Sequence, residues 1–401
     1  MSDVDGVSVK AAGCRQVVDK RMMMFIATRD LKFAKGRFLL MGSVVALVAF
    51  LVITLSGLSA GLVKANISAL MALPATHIAF EGTDHPGYRN TMIERYMWEG
   101  WAEQDGVKAM EPLGHTVFNA RTEDGKPLEL ALWGLVENSI IAPLLSRGDN
   151  FGGEVENGVI ISRGMLEKGV DIGDLIILDR VLTELRVVGV TDEHRAIGHL
   201  PIVYAPLAKW QEATYGPPGG PPPGEKLPDI IFDFVSIIVL QLEEGVDTAA
   251  LDEELETTTL DRLGFYAASI GYESEVQSVQ MIQSLLFVIS AVVIGAFFSI
   301  WTIQRTKEIG LVKALGASNT YVLKDALGQA LTVIVAGTLI GLLGTLWFNE
   351  QVKDTELPFM LESQTIITSI IMLLMAGFIG AAMSIRRVSK VDPIIALGRD
   401  Q

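Results

Sequence analysis

The sequence lacks most of the patterns by which enzymes are recognised. One cysteine among 401 residues excludes an intramolecular disulfide. Neither a Gly-x4-Gly-Lys-Ser/Thr phosphate loop nor a Gly-x-Ser-x-Gly nucleophile turn occurs. The five histidines, His77, His85, His115, His194 and His199, lack metal-binding spacing, so we expect no metal site and no resident cofactor. Bases are also scarce: 32 Lys and Arg against 47 Asp and Glu give a net charge of -15, which argues against a nucleic-acid partner.

Charge is absent altogether from four long apolar stretches. They cover residues 38–63, 282–303, 326–348 and 364–385. A helix needs about 20 apolar residues to cross a bilayer, whereas an apolar run of about 10–14 residues is more typical of a buried helix in a soluble protein. The sequence therefore predicts an integral membrane protein with four transmembrane α-helices.

The segments that flank these stretches differ in their content of Lys and Arg. Bases cluster before the first stretch, between the second and third, and after the fourth, while the short segment between the third and fourth has only Lys353. Basic flanks stay in the cytoplasm, so both termini and the middle loop are expected inside. Residues 64–280 are then outside, and they are too many for a loop, which predicts a folded domain there.

The outer segment alternates strand-like and helix-like patterns, which predicts a large α/β extracytoplasmic domain between helices 1 and 2. Strand patterns occupy 76–80, 128–132, 158–162, 175–178, 185–190 and 230–242, and helix patterns occupy 90–102, 164–168 and 247–263. Residues 215–226 are rich in Pro and Gly and predict an exposed loop or a hinge between two lobes. Helical periodicity past residue 63 and over 266–282 predicts helical stalks between the domain and the membrane.

These patterns divide the whole chain into segments. In order they are an N-terminal tail at 1–23, an amphipathic elbow helix at 24–37, the first span at 38–63, the α/β domain with its stalks at 64–280, the second span at 281–304, an inner loop at 305–325, the third span at 326–348, an outer loop at 349–363, the fourth span at 364–385 and a cytoplasmic tail at 386–401. Met22, Met23 and Met24 are alternative translation starts. The elbow helix is expected to lie along the inner leaflet.

The inner loop and the C-terminal tail carry extended motifs. Residues 302–318 read Thr-Ile-Gln-Arg-Thr-Lys-Glu-Ile-Gly-Leu-Val-Lys-Ala-Leu-Gly-Ala-Ser, and residues 386–398 read Arg-Arg-Val-Ser-Lys-Val-Asp-Pro-Ile-Ile-Ala-Leu-Gly. Both resemble the cytoplasmic segments of FtsX-like/MacB-like ABC transporter permeases. Residues 157–174 and 185–207 are similar to the extracytoplasmic core domain of that family. Residues 29–41 and 55–62 look most like the haem-efflux permeases of Gram-positive bacteria.

The resemblance implies a permease subunit of an ABC-type efflux transporter, working with a second copy of itself and a separate ATPase subunit. In the family, the inner loop docks into the nucleotide-binding subunit. The residues expected to couple permease and ATPase are Arg305, Lys307, Glu308, Gly310, Lys313 and Gly316, on a short helix at 305–315 that Gly316 would end. From residue spacing alone, the inner loop could also be a solvent-exposed connector that docks into no other subunit.

The expected cargo is amphiphilic and taken from the membrane, with haem as the leading candidate. Protein ligands to haem iron include Met, His, Tyr and Cys. The candidate cargo groove comprises Met71, Tyr272, Glu273, Glu275 and Met281, although apolar packing is an alternative role for the two methionines. Gly57 and Gly61 form a Gly-x3-Gly pair that predicts a helix contact, as do Gly337 and Gly341. We expect a homodimer with spans one and two near its axis.

Two other functions stay open at this stage. One is the export of a lipid, a lipopeptide or a peptide antibiotic, and the other is a signalling permease that transports nothing and activates a cell-wall hydrolase. Transport predicts a cargo groove and ATP turnover stimulated by cargo. Signalling predicts a partner-binding surface on the outer domain.

Overall fold

The computed structural model describes residues 35–89, 91–151, 155, 157–221, 225–353, 355 and 357–388. They form two compact units: the membrane unit, with residues up to Gly61 and from Ser278 onward, and the domain, Leu62–Gln277. The predicted N-terminal tail, most of the elbow helix at 24–37 and the tail beyond residue 388 lie outside the described residues.

The described residues contain helices of two length classes, with the four longest matching the apolar stretches. The helices are α1 Lys35–Asn66, α2 Ser68–Ala72, α3 Arg95–Ala102, α4 Arg163–Glu167, α5 Leu207–Tyr215, α6 Thr248–Leu255, α7 Arg262–Ala267, α8 Tyr272–Gln304, α9 Thr306–Ala314, α10 Asn319–Val352 and α11 Ser363–Val388. Helices α1, α8, α10 and α11 are long and apolar enough to cross a membrane. The prediction of four transmembrane helices is therefore confirmed.

The long helices extend beyond the uncharged stretches. Helix α8 begins at Tyr272, with Glu273 and Glu275 in its first turn, where carboxylates interact favourably with the helix dipole. Helix α10 begins at Asn319 because Ser318 caps it, its hydroxyl accepting a hydrogen bond from Tyr321 N at 3.2 Å. The predicted stalk over 266–282 is interrupted, since Gly271 adopts φ +78 between α7 and α8.

Glycines bring the helices of the membrane unit together. A Cβ atom on Gly341 of α10 would lie 2.6 Å from Ala49 Cβ of α1, and one on Gly380 of α11 would lie 2.3 Å from Ala291 O of α8. Small residues let helix backbones approach closely in a membrane, where burial from water does not drive association. The Gly337 and Gly341 pair therefore marks a helix contact within the chain.

The Gly57 and Gly61 pair has a different neighbour from the one predicted. A Cβ atom on Gly61 would lie 1.9 Å from Pro358 O, and Met360 N donates to Gly57 O at 3.1 Å. The segment before α11 occupies this surface of α1, so the predicted helix contact at Gly57 and Gly61 is wrong within this chain. A strip without side chains accepts the backbone of a loop as readily as that of a helix.

The domain combines a large sheet with short helices, which confirms its predicted α/β character. The strands are β1 His77–Glu81, β2 Ile93–Glu94, β3 Val107–Thr122, β4 Pro127–Leu135, β5 Arg147–Gly148, β6 Gly158–Ser162, β7 Leu175–Leu178, β8 Glu184–Thr191, β9 Ala196–Ile197, β10 Leu200–Pro206, β11 Phe234–Val235, β12 Ile237–Leu242 and β13 Thr257–Asp261. The main sheet has the order β13-β1-β12-β3-β4-β10-β6-β8-β5, in which β10 and β4, and β6 and β8, are parallel pairs.

Strand β3 connects the two halves of this sheet. Its first half pairs with β12 as far as Leu113, its second half pairs with β4 from Gly114, and its end pairs with β7 from Ala120. Helix α5 packs across β3 and β4 through Trp210, which lies where Cβ atoms on Gly114 and Gly134 would be. Sequence analysis missed β3 because Pro112 and Gly114 interrupt its alternating pattern.

Two predicted elements of the domain are wrong over part of their length. The helix predicted at 247–263 ends at Leu255, Glu256 adopts φ 55, and Thr257–Asp261 form β13 against β1. Three consecutive threonines favour a strand there because β-branched side chains fit a pleated sheet. The strand predicted at 230–242 begins with a 3-10 turn over Asp229–Asp233 before β11 and β12.

Candidate functional site

Arg305 links the short helix α9 to the membrane helices α8 and α10. Its guanidinium donates to Gln329 Oε1 of α10 at 2.7 Å and to Glu308 Oε2 of α9 at 2.9 Å, and it lies 5.0 Å from the ring centroid of Trp301 at the end of α8. Gln329 in turn donates to Asp325 at 2.9 Å. A planar guanidinium with several fixed donors suits such a junction. Displacement of α9 would therefore be transmitted to both α8 and α10.

The far end of α9 is closed by Gly316. Gly316 adopts φ +97, its N–H donates to Lys313 O at 2.9 Å, and Ala317 N donates to Val312 O at 3.2 Å. This pair of bonds is the Schellman motif, which requires a residue in the left-handed region that glycine enters without strain. The motif fixes the orientation of the last turn of α9.

The solvent-facing side of α9 combines apolar and charged groups. Leu315 is 82% exposed, Leu311 is also exposed, and Lys307 and Glu308 are exposed nearby in sequence. Within α9, Gly310 is buried and Lys313 is half-buried. Of the residues predicted for coupling in this helix, only Lys307 and Glu308 are therefore exposed. Exposed leucines beside charges are typical of a surface that another protein covers.

A second cluster of polar side chains connects the N-terminal and C-terminal ends of the domain. Asn66, only 2% exposed, donates from Nδ2 to Glu275 Oε2 at 3.0 Å, and its Oδ1 accepts from Ser269 Oγ at 3.3 Å. His199 Nε2 lies 3.3 Å from the same Glu275 oxygen. We call Asn66, His199, Ser269 and Glu275 the base network. It ties the last residue of α1 to the first turn of α8.

The hairpin that carries His199 is itself held against the start of the domain. Ala196 N donates to Ser68 Oγ at 2.8 Å, and Gly198 N donates to Asn66 O at 2.9 Å. Gly198 and His199 both have positive φ, 58 and 63. A non-glycine residue in that region is uncommon and is retained where surrounding contacts stabilise it. The contacts of the base network are of this kind.

The residues of the candidate cargo groove differ in their exposure and in whether other side chains already engage them. Glu275 is engaged in the base network and its side chain is only 20% exposed, whereas Glu273 is exposed and Met71 is exposed on α2. Tyr272 is half-buried. Met281 is 69% exposed and belongs to the membrane unit. Among the described residues, no group of three or more His, Cys, Asp or Glu is placed to hold a metal ion.

Sequence analysis named Glu275 as a cargo residue but missed the base network that engages it. Asn66 and Glu275 are separated by 209 positions, and Asn66 follows the first apolar stretch without any motif. The only signal was its position, since a polar residue directly after a span lies where the chain leaves the lipid. Its partner could not be identified from spacing.

Two family models match this chain over adjoining regions. A model of the MacB-like periplasmic core domain matches residues 38–258, which is more than half of the chain. A model of the FtsX-like permease C-terminal region matches residues 281–393.

Known proteins resemble the chain over different lengths. A putative hemin transport system permease protein, HrtB, from Staphylococcus epidermidis is 24% identical over 390 residues, covering 94% of this chain and all of that protein. The macrolide export ATP-binding/permease protein MacB from Burkholderia cenocepacia is 30% identical over 184 residues, covering 42% of this chain and 27% of that protein. The crystal structure of the periplasmic region of MacB from Actinobacillus actinomycetemcomitans covers 48% of this chain and 92% of its own, with 12% identity and a TM-score of 0.33.

Proposed function

Because this chain belongs to the family that joins a MacB-like periplasmic core domain to an FtsX-like permease region, it is a permease subunit of an ABC-type efflux transporter, and we propose that its cargo is haem. The observation that carries the cargo proposal is the likeness to a putative hemin transport permease along that protein's entire length. An ATPase subunit is the partner that such a permease requires. We infer that this partner performs the ATP hydrolysis, since the sequence has no phosphate loop.

We propose that α9 is the surface on which the ATPase acts. The exposed Leu311 and Leu315, beside Lys307 and Glu308, offer an apolar contact with charges around it. Arg305 links α9 to both α8 and α10, so movement of the ATPase pair would be passed to two membrane helices at once. This arrangement supports coupling better than a solvated connector, which would need neither the anchor nor the exposed leucines.

We propose that two copies pair along α8, with both termini in the cytoplasm. Met281, Leu285, Val288 and Val292 are all exposed on α8 and follow one another at intervals of four, three and four residues. Alternation of three and four places side chains along one seam between two helices. The Lys and Arg distribution supports the orientation.

Within that pair, we propose that Met281 of each copy contacts the haem. A thioether is a known axial ligand of haem iron, and the exposure of Met281 leaves its sulfur available. Glu275 is a weaker candidate because Asn66 and His199 already engage its carboxylate. Rearrangement of the stalk regions on ATP binding would then release the cargo outward.

The test is a titration of haem into the purified complex of this chain with its ATPase subunit in nanodiscs. We expect a shift of the Soret band and a rise in ATP turnover. The variant Met281→Ala should weaken the spectral change about tenfold, whereas Met383→Ala, which removes another exposed methionine, on α11, should not. Leu315→Asp should lower stimulated turnover about tenfold and leave the spectral change intact.

The outcomes separate cargo from coupling. Absence of both the Soret shift and the stimulation in the unmodified complex would exclude haem and leave the permease assignment in place. Stimulated turnover that is insensitive to Leu315→Asp would contradict the coupling role of α9. A spectral change that survives Met281→Ala would contradict the proposed contact alone.

A further inference from the structure

The domain has a cleft along β3 that the permease mechanism does not use. One hollow of about 430 Å³ is lined by Arg89, His115 and Tyr215 among others. A second hollow of about 520 Å³ is lined by Arg180 and Pro218 among others. Both hollows share Thr116, Val117 and Thr214, so they adjoin along β3, and we call the two together the cleft. Volumes of this size are typical of small-molecule sites.

The bottom of the cleft is an unpaired part of the β3 edge. On this edge β3 pairs with β12 only as far as Leu113 and with β7 only from Ala120. His115 N donates to Ser236 Oγ at 2.9 Å, and Asn119 O accepts from Asp179 N at 3.0 Å. Because alternate residues of a strand direct their backbone groups to the same edge, Val117 directs its N–H and C=O there too. No described strand pairs with Val117 on that edge.

Two arginines of the cleft differ from the others in having no bonded carboxylate or carbonyl partner among the described residues. The other seven arginines of the domain each bond a described carboxylate or backbone carbonyl: Arg95 with Asp233, Arg121 with Asp179, Arg147 with Asp171, Arg163 with Glu167, Arg186 with Gly173 O, Arg195 with Glu193 and Arg262 with Ala75 O. Arg89 and Arg180 have no such partner among the described residues, although residues 64–280 contain 35 acids against 15 bases. One of these two arginines lines each hollow.

Between the arginines the cleft offers neutral hydrogen-bond donors. His115 is 5% exposed, and its Nδ1 accepts from Trp133 Nε1 at 3.0 Å, so the neutral ring carries its proton on Nε2. Among the described residues neither His115 Nε2 nor the Tyr215 hydroxyl has a hydrogen-bond partner. Burial, followed by the charge of Glu81, raises the pKa of Tyr215 to about 12, which keeps its hydroxyl a donor.

The acids that line the cleft are already engaged. Glu81 Oε2 accepts from Met92 N at 3.1 Å, and Asp179 pairs with Arg121. An imidazole whose Nδ1 accepts from Trp133 is unsuited to bind a metal through its protonated Nε2. The free groups are thus two guanidinium cations with N–H and O–H donors between them, which suits carboxylates because guanidinium binds a carboxylate through two parallel hydrogen bonds.

We propose that this cleft binds a soluble organic dicarboxylate, with Arg89 and Arg180 each contacting one carboxylate and His115, Tyr215 and Val117 N–H contacting the ligand between them. The site is formed within the domain and does not depend on the identity of the membrane cargo. It would place a sensor for a soluble acid on a subunit that otherwise handles an amphiphile.

The test is calorimetric titration of the full chain in nanodiscs with succinate, adipate and suberate, a series that varies the separation of the two carboxylates. We expect at least one of them to bind, and hexanoate, with a single carboxylate, to bind about tenfold more weakly than that one. Arg89→Gln and Arg180→Gln should each weaken binding about tenfold. Arg163→Gln removes an exposed arginine of the same domain and should leave binding unchanged.

Four results would overturn the proposal. They are no measurable heat with any of the three dicarboxylates at millimolar concentration, equal binding of hexanoate, equal binding of inorganic phosphate, and unchanged affinity in both arginine variants. Trp133 fluorescence gives a second readout, because the indole of Trp133 is bonded to His115. Two separate arginine variants keep the test valid if one of them fails to fold.

Discussion

In the membrane unit, Gly341 lies against Ala49 with no room for a Cβ atom, whereas in the domain Trp210 fills the space that Gly114 and Gly134 leave open. The two regions thus use glycine for opposite purposes. In lipid there is no gain from removing apolar surface from water, so close contact depends on removing side chains. In water the burial of one large aromatic side chain stabilises the fold, and glycine provides the space for it.

The largest effect is expected from removing the aromatic side chain on the domain side of this comparison. Trp210→Ala should lower the free energy of unfolding of the domain by about 3–5 kcal/mol, because it leaves a cavity over β3 and β4 and removes the bond from Trp210 Nε1 to Thr116. Hydrogen exchange of the full chain should place the loss in β3 and β4. Trp347→Ala, an exposed tryptophan of α10, is the control, and an equal loss there would contradict the argument.

The next effect is a pH dependence that only the domain should have. Burial lowers the pKa of His115 to about 4, against about 6.5 in an unfolded chain. The folded state then binds fewer protons between these values, so stability is full above about pH 6.5 and falls by about 3 kcal/mol as the pH approaches 4.

This contribution is measured as the pH dependence of denaturant unfolding. His115→Gln should flatten the curve in that window, whereas His85→Gln, an exposed histidine of the same domain, should leave it unchanged. A curve that keeps its slope in His115→Gln would show that other groups cause the pH dependence.

A smaller effect is expected from adding a methyl group on the membrane side. Gly341→Ala should destabilise the membrane unit by about 1–3 kcal/mol, because its Cβ would lie 2.6 Å from Ala49 Cβ and 2.7 Å from Ala46 O. Gly328→Ala lies in the same helix with nothing within 4 Å of the new Cβ. Thermal unfolding in detergent should therefore show a lower melting temperature for Gly341→Ala than for Gly328→Ala. Equal melting temperatures would contradict the argument that glycine serves close helix contact in the membrane unit.

An effect of similar size is expected from the base network of the domain. Glu275→Ala leaves Asn66 Nδ2 buried without its acceptor and should cost about 1–3 kcal/mol, while Glu273→Ala, exposed in the same turn, should change stability by less than about 0.5 kcal/mol. Chemical denaturation of both variants provides the comparison. Equal stabilities would mean that the network orders side chains without stabilising the domain.

Helix α9 was predicted more completely than the base network, for a physical reason. Gly316 ends α9 through bonds to residues within five positions, and such local geometry is visible in a short motif. Asn66, His199 and Glu275 come together only when the domain folds, so no local sequence pattern predicts their contacts. Strand β3 was missed similarly, since it is stabilised by pairing with β12, β4 and β7 more than by its own composition.

The sequence by itself determined the four membrane spans, the uneven charge and the family, because each depends on consecutive residues and on the high cost of placing charge in lipid. Tertiary structure decided which surfaces meet: that Gly57 and Gly61 receive the backbone before α11, that Glu275 is engaged by Asn66, and that Arg89 and Arg180 line one cleft along β3. Those contacts join residues far apart in the chain. Their free energy depends on geometry that only the folded molecule supplies.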